Sequence, residues 1–356
     1  MDTKLPNFEN LVCPLPIRQN ERIIISHGSG GRITKDLIES LFISNFQNRE
    51  LAKGNDFADI LIPGGNRKLI ISTDAHIVSP IFFPGGDIGR LAVAGTVNDI
   101  SMSGGEPRYL SASFILEEGL LLTDLEKIAK SMQKTAVEAG VIIVSGDTKV
   151  TERGKADQIF ISTTGIGFAP ADLKIGGQYA EPGDAVIVSG SIGDHGIAVL
   201  AARNELGFTT LIESDVAPLN NLVRDLVSEI VQIHVLRDPT RGGLATTLNE
   251  IALQSNVSIE LEETSIPVKK EVKSACEMLG FDPLYIANEG KMVVILPEQY
   301  VDAALSVLKK SPQSKDAALI GKVITPDGKP RVTMRTSIGG TRIVDMLSGE
   351  LLPRIC

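Results

Sequence analysis

Lys68-Leu-Ile-Ile-Ser-Thr-Asp74 is the stretch on which the fold turns: a short apolar run that stops at a carboxylate. The same device returns in Val141-Ile-Ile-Val-Ser-Gly-Asp147. Apolar runs of this length, rich in β-branched residues and closed by small polar ones, read as buried strands over 68–72 and 141–145. Around them, further strands fit at 109–116 and 159–168, and helices at 89–103 and 123–139. The second helix carries Thr123 and Glu126 at the spacing of a capping box. Upstream, Arg22-Ile-Ile-Ile-Ser26 reads as a strand entering the loop His27-Gly-Ser-Gly-Gly-Arg32. The helix after that loop places Ile33, Leu37, Ile38 and Leu41 on one apolar face. Together these elements make an α/β domain over 21–172.

Two prolines and the pair Gly176-Gly177 make 170–182 a linker. A second α/β domain spans 180–344. Its strands fit at 184–189, 257–261, 291–296 and 319–324, and its helices near 195–206, 219–234, 244–255 and 268–279. Residues 1–20, with Pro6, Pro14 and Pro16, form an extended, flexible arm. Residues 345–356 form a mobile tail, since Gly349 and Pro353 discourage a regular element.

Composition narrows the function. The net charge is −9, from 44 acidic and 35 basic residues, with no basic block. Nucleic-acid binding rests on clustered Lys and Arg, so it is excluded as the main task. No run approaches the roughly 18 apolar residues of a membrane helix, and no secretory signal opens the chain. A cytoplasmic protein is expected. The three cysteines, Cys13, Cys276 and Cys356, form no C-x-x-C pair, and there are only four histidines. That disfavours a disulfide framework and a structural zinc site.

The polar residues suggest phosphate chemistry. Gly28, Ser29, Gly30 and Gly31 could bring backbone N–H groups to an anion, although the loop fits neither the P-loop nor the dinucleotide pattern. Asp74 and Asp147, the latter after Gly146, close strands; Asn98 and Asp99 lie inside a helix. Asp56 precedes a short apolar strand, and Asp238 opens Asp238-Pro-Thr-Arg-Gly-Gly243 before a helix. Magnesium takes a few carboxylates together with substrate phosphates and waters, and scattered strand-end aspartates suit that use. Each alone also suits a cap or a solvated turn. Lys149 and Glu289 could serve as base or electrostatic clamp if buried, or be ordinary surface ions. His76 could carry a proton or simply be a satisfied buried histidine. Cys356 ends the sequence, where its thiol needs a cationic or metal-bearing neighbour to become a thiolate.

These motifs resemble one family. His27-Gly-Ser-Gly-Gly31, Ser72-Thr-Asp-Ala-His76, Phe82-Phe-Pro-Gly-Gly-Asp-Ile-Gly89, Val97-Asn-Asp99, Phe114-Ile-Leu-Glu-Glu-Gly119, Ser145-Gly-Asp-Thr-Lys-Val150, Asp238-Pro-Thr-Arg-Gly-Gly243, Asn288-Glu-Gly290 and Pro353-Arg-Ile-Cys356 are similar to those of the HypE hydrogenase-maturation proteins. The closing Pro-Arg-Ile-Cys is specific to that family. The glycine and aspartate motifs are shared with aminoimidazole ribonucleotide synthetase, selenophosphate synthetase and thiamine-phosphate kinase. The resemblance implies an aminoimidazole ribonucleotide synthetase-like α/β fold whose first domains pair in a homodimer, closing a β-barrel across the subunits. It implies ATP bound near that interface and Mg²⁺ held by Asp56, Asp74, Asp99, Asp147 and Asp238. It implies that Lys149 and Glu289 line the place where the tail reacts. The implied reaction is ATP-dependent dehydration of a carboxamide on Cys356 to a thiocyanate, for the cyanide ligand of [NiFe]-hydrogenase. The carbamoyltransferase HypF would be the donor and the HypC–HypD iron scaffold the acceptor. The competing readings are a superfamily synthetase or kinase acting on a free metabolite, and a scaffold whose tail only docks.

Overall fold

The computed structural model describes residues 23–46, 50–203, 211–230, 232–347, 349, 352 and 354–356. The expected arm over 1–20, with Cys13, lies outside them. In chain order the first half comprises α1 (Arg32–Leu37), α2 (Ser44–Phe46), β1 (Ala58–Leu61), β2 (Arg67–His76), β3 (Phe82–Phe83), β4 (Gly86–Asp87), α3 (Ile88–Ser101), β5 (Glu106–Glu117), α4 (Leu122–Ala139), β6 (Ile142–Thr151) and β7 (Ile159–Pro170). The second half comprises β8 (Asp184–Val188), α5 (Asp194–Ala202), α6 (Asn220–Glu229), β9 (Val235–Arg237), α7 (Gly243–Ser255), β10 (Ser258–Glu262), α8 (Lys270–Leu279), β11 (Val293–Pro297), α9 (Val301–Leu308), β12 (Ala318–Ile324), β13 (Val332–Arg335) and β14 (Thr341–Val344).

The first five-stranded sheet runs β1-β2-β7-β5-β6. α3 covers one of its faces, with Ile88, Leu91, Val93, Val97 and Ile100 fully buried. Burying each such side chain contributes roughly 1.5–3 kcal/mol. β7 alternates buried and half-exposed residues along its whole length, the mark of a strand with one covered face. The second sheet runs β14-β13-β10-β12-β8-β11-β9, and its central strand β8 is buried at all five positions. The two-domain α/β organisation expected from the sequence is the one observed, with most elements shifted by a few residues.

Three local expectations fail. Of the strand expected at 22–26, the described residues 23–26 do not make one: Ile25–Gly28 is a 3₁₀ turn, and Ile23 and Ile25 are exposed. A β-branched run needs a neighbouring strand to pair with, and none is adjacent among the described residues. α4 begins at Leu122, one residue before Thr123, so Leu121 holds the cap position and no side chain caps it. The capping box is therefore absent. The helical stretch after the glycine loop passes through a π segment, Ile38–Ile43, and leaves Ile38, Leu41 and Phe42 exposed rather than packed.

Candidate active site in the cleft between the domains

β2 alternates, so Ser72, Asp74 and His76 share the face that meets α3. α3 answers with Thr96 and Asp99, and with Gly95, where a Cβ would come within 3.0 Å of the His76 ring and 3.4 Å of Asp74. Glycine there lets the strand's polar residues approach the helix. The Ser72 hydroxyl lies 2.7 Å from Asp99 Oδ2 and 2.8 Å from the Asp56 carbonyl. A hydroxyl has one proton to give, so both contacts are satisfied at once when Asp99 itself carries a proton. Burial pushes Asp99 well above the ordinary carboxylate range, and the charges of Asp238, Asp74 and Asp56 push it further. Asp238, just after β9, is pushed up to about 8 by burial and then by Asp56. Arg237 is the counter-ion, with Nε 2.5 Å from Asp56 and Nη2 2.8 Å from Glu250.

This is an acidic cluster short of positive charge. Among the described residues, no three histidine, cysteine or acidic side chains converge closely enough to hold a metal ion by themselves. Four mutually repelling carboxylates nevertheless fit a divalent cation that draws its remaining ligands from phosphate and water.

Cys356 sits beside the cluster. Its thiol lies against the carboxylate of Glu289, which is 4% exposed and whose Oε1 has no hydrogen-bond partner. Burial, then the charges of Asp238, Asp74 and Asp215, hold Glu289 well above the usual carboxylate range. Burial and then the Glu289 charge push the Cys356 thiol up, and Arg241 opposes them. Arg241 is the cation that the sequence reading required without locating. Its Nη1 donates to the Gly28 carbonyl at 3.0 Å, which docks the glycine loop against the second domain. Gly30 has φ +77°, and a Cβ there would lie 2.8 Å from Arg241 Cβ. Gly28, Ser29, Ala75, Arg241 and Cys356 line one cavity of about 170 Å³.

The segment leading to Cys356 is seated rather than loose at its end. Ile355 pairs with Val78 in an antiparallel bridge, and its side chain is buried with Val78, Ile81 and Leu91. The Arg354 carbonyl accepts from Ser79 N–H at 3.2 Å and from Arg203 Nη2 at 2.9 Å. The Ile355 carbonyl accepts from His195 Nε2 at 2.7 Å. Arg354 itself has φ +53°, in the left-handed region, and its guanidinium meets Asp157 at 2.6 Å.

The remaining candidates separate. His76 is buried, 3.6 Å from Asp74 and 3.3 Å from Thr163 Oγ1, and burial lowers its pKa. Asn98 is occupied by backbone: its amide donates to the Ala217 and Glu289 carbonyls and its oxygen accepts from Leu219 N–H. Gly146, Asp147 and Lys149 lie elsewhere. They are on β6, whose first nine residues are all exposed. Lys149 pairs with Asp147 at 2.8 Å, both side chains in solvent. The register Asp147↔Ser113↔Ser162↔Ala75 puts Asp147 on the sheet face opposite Asp74. Three inter-strand spacings of ~4.8 Å separate their strands by about 14 Å. Within one protomer, therefore, Lys149 does not meet Glu289.

Sequence reasoning also missed Arg237, His195 and Asp215, whose carboxylate accepts from Glu289 N–H at 3.1 Å. Arg237 and Arg241 flank Asp238 in a motif already singled out, and their spacing from that carboxylate was the available signal. His195 carried none.

Comparison with known proteins first gives the class. Residues 54–169 match the N-terminal domain of AIR synthase related proteins, and residues 181–334 match their C-terminal domain. The chain is 54% identical over 343 residues to the carbamoyl dehydratase HypE of Cupriavidus necator, covering 96% of this chain and 97% of that one. A HypE–HypF complex superposes with a TM-score of 0.82 at 50% identity, covering 87% of this chain and 99% of that one. HypE in complex with ATP superposes with a TM-score of 0.79 at 52% identity, covering 94% and 100%. The chain belongs to the carbamoyl dehydratase HypE family. It is an ATP-dependent dehydratase of hydrogenase maturation, a reading favoured over the free-metabolite alternative.

Proposed function

We propose that the thiol of Cys356 carries the carboxamide and that Glu289 removes protons from it. The reaction balances as R–S–C(=O)–NH₂ + ATP → R–S–C≡N + ADP + phosphate. The carbonyl oxygen takes the γ-phosphoryl group, because phosphate leaves readily and oxide does not. The two nitrogen protons are then lost as the C–O bond breaks. The observation that carries this reading is the placement of the Cys356 thiol against a buried carboxylate whose affinity for protons is raised by burial and by neighbouring acids, as a general base requires. Arg241 faces the same sulfur and holds negative charge that develops there. The cavity is narrow, which limits water around the phosphorylated carboxamide.

Asp56, Asp74, Asp99 and Asp238 are the residues that would hold Mg²⁺ against the phosphates, with the glycine loop of residues 28–31 alongside. Bound there, the ion supplies charge neutralisation for the transferring phosphoryl group. Asp147 and Lys149 join this work through a homodimer. Among the described residues the outer edge of β6 has no strand partner, and it presents Ile142, Val144 and Val150 at 61%, 60% and 69% exposure. An exposed apolar edge strand is a template for pairing with a second chain, and a second first-domain sheet completes it. HypF serves as carbamoyl donor and a HypC–HypD scaffold as cyanide acceptor. Among the described residues no helix is long and apolar enough to cross a membrane, and we place the cycle in the cytoplasm.

Intact-mass analysis tests the reading. Incubation with a carbamoyl donor system gives an adduct at Cys356 that loses one water only with hydrolysable Mg-ATP. An adduct that forms and never loses water ends the proposal.

A further inference from the structure

We propose that His195, on α5 of the second domain, is the positioning residue that seats Cys356 for reaction, by holding the backbone carbonyl of Ile355. The inference rests on the reading of Cys356 as the reacting thiol. His195 is fully buried. Its Nε2 lies 2.7 Å from the Ile355 carbonyl, an acceptor, so Nε2 carries the proton. Nδ1 lies 2.8 Å from the Ser214 hydroxyl. That hydroxyl also accepts the Val216 N–H at 3.1 Å, which leaves its own proton for Nδ1 and fixes the tautomer. Burial lowers the imidazole pKa, in keeping with a neutral ring. Phe83 packs edge-on against the ring at a centroid distance of 5.5 Å, so the first domain sets its orientation.

The arrangement reads backbone rather than side chain. His195 holds the carbonyl of residue 355, and Arg203, one residue past the end of α5, holds that of residue 354. The peptide unit gripped by His195 is the one that leads directly into Cys356. A shift there moves the sulfur away from Glu289, and misplacement of a reacting group by about 1 Å can cost on the order of 10²-fold in rate.

His195→Met and His195→Gln, made in the full chain, decide the matter. The two side chains are close in size, and only glutamine offers a donor to the Ile355 carbonyl. The first readout is the rate at which iodoacetamide alkylates Cys356, followed on the peptide that contains it so that Cys13 and Cys276 do not interfere. The loss of one buried hydrogen bond makes Cys356 roughly 5- to 10-fold more reactive in His195→Met. His195→Gln returns it to within about 2-fold of the parent. Single-turnover dehydration of the carboxamide falls in His195→Met by at least the same factor and recovers in His195→Gln. A parental alkylation rate in His195→Met, or equal reactivity of the two variants, overturns the proposal. If His195→Met melts early, His195→Asn carries the test, since its amide stands where Nδ1 meets Ser214 and offers no donor at the Nε2 position: it must raise the alkylation rate, and a parental rate overturns the proposal. Alkylation needs neither ATP nor dehydration. A parent chain that never loses water therefore sinks the dehydratase reading, whereas an unchanged alkylation rate sinks only the latch.

Discussion

The cleft around Cys356 and the outer edge of β6 hold residues of the same motif family, yet they are opposite environments. In the cleft, half-buried Asp99 and buried Glu289 both feel the charge of buried Asp238, and all three are pushed toward the protonated form. On β6, Asp147 and Lys149 form a solvated pair, and Lys149 together with the backbone N–H of Thr148 holds the Asp147 carboxyl below its ordinary value. Such an exposed pair contributes little, because water and salt screen it. The contrast teaches that the protomer carries a strained charge cluster and, apart from it, a spare set of charges on an open edge. A second copy that pairs with β6 could bring the two together.

The largest expected effect breaks the comparison on the cleft side. Cys356→Ala abolishes formation of the carboxamide adduct in the mass assay, while the edge remains intact. Next, Glu289→Gln slows single-turnover dehydration by about 10²–10⁴-fold, the usual worth of a placed base; a parental rate removes Glu289 from the chemistry. Lys149→Met sharpens the comparison by asking whose site the edge serves. It lowers dehydration by roughly 10-fold or more. Co-refolding it with Glu289→Gln then restores about a quarter of parental activity, since half the dimers are mixed and each holds one intact site. No recovery means that Lys149 does not act across subunits. The smallest effect is in stability. Near and above neutral pH, Asp238 sets the slope. Asp238 has a folded pKa of about 8, so between pH 7 and 8 the folded state binds more protons than the unfolded state. Stability then falls as pH rises. The melting temperature drops by roughly 2–4 °C between pH 7 and 8.5 without Mg²⁺, and Mg²⁺ with a nonhydrolysable ATP analogue removes the drop.

Most of the frame was legible because strand patterns carry their own boundaries: the runs at 68–72 and 141–145 became β2 and β6. Edge elements were not, because their placement depends on partners. The Ile23–Ile25 run looks like a strand until no strand lies beside it, and the short β9, β13 and β14 have too few residues to show a period. The site was legible as a set of residue types and not as a geometry. Asp56 and Asp238 are far apart in sequence and meet through Arg237. Asp74 and Asp147 close similar runs and stand on opposite faces of one sheet. His195 gave no signal, since a histidine that hydrogen-bonds a carbonyl 160 residues away matches no local pattern.

The left-handed backbone at Arg354 bears on timing. A non-glycine residue with φ +53° costs roughly 1 kcal/mol or more over an ordinary conformation. That cost exists only while the segment is seated and vanishes when it leaves. One kcal/mol shifts the balance between seated and released forms by about 5-fold toward release. In the proposed cycle, a carrier that moves between a donor, this cleft and an acceptor gains from such a bias. Its arm docks tightly enough to react, with part of its release already stored in one peptide torsion.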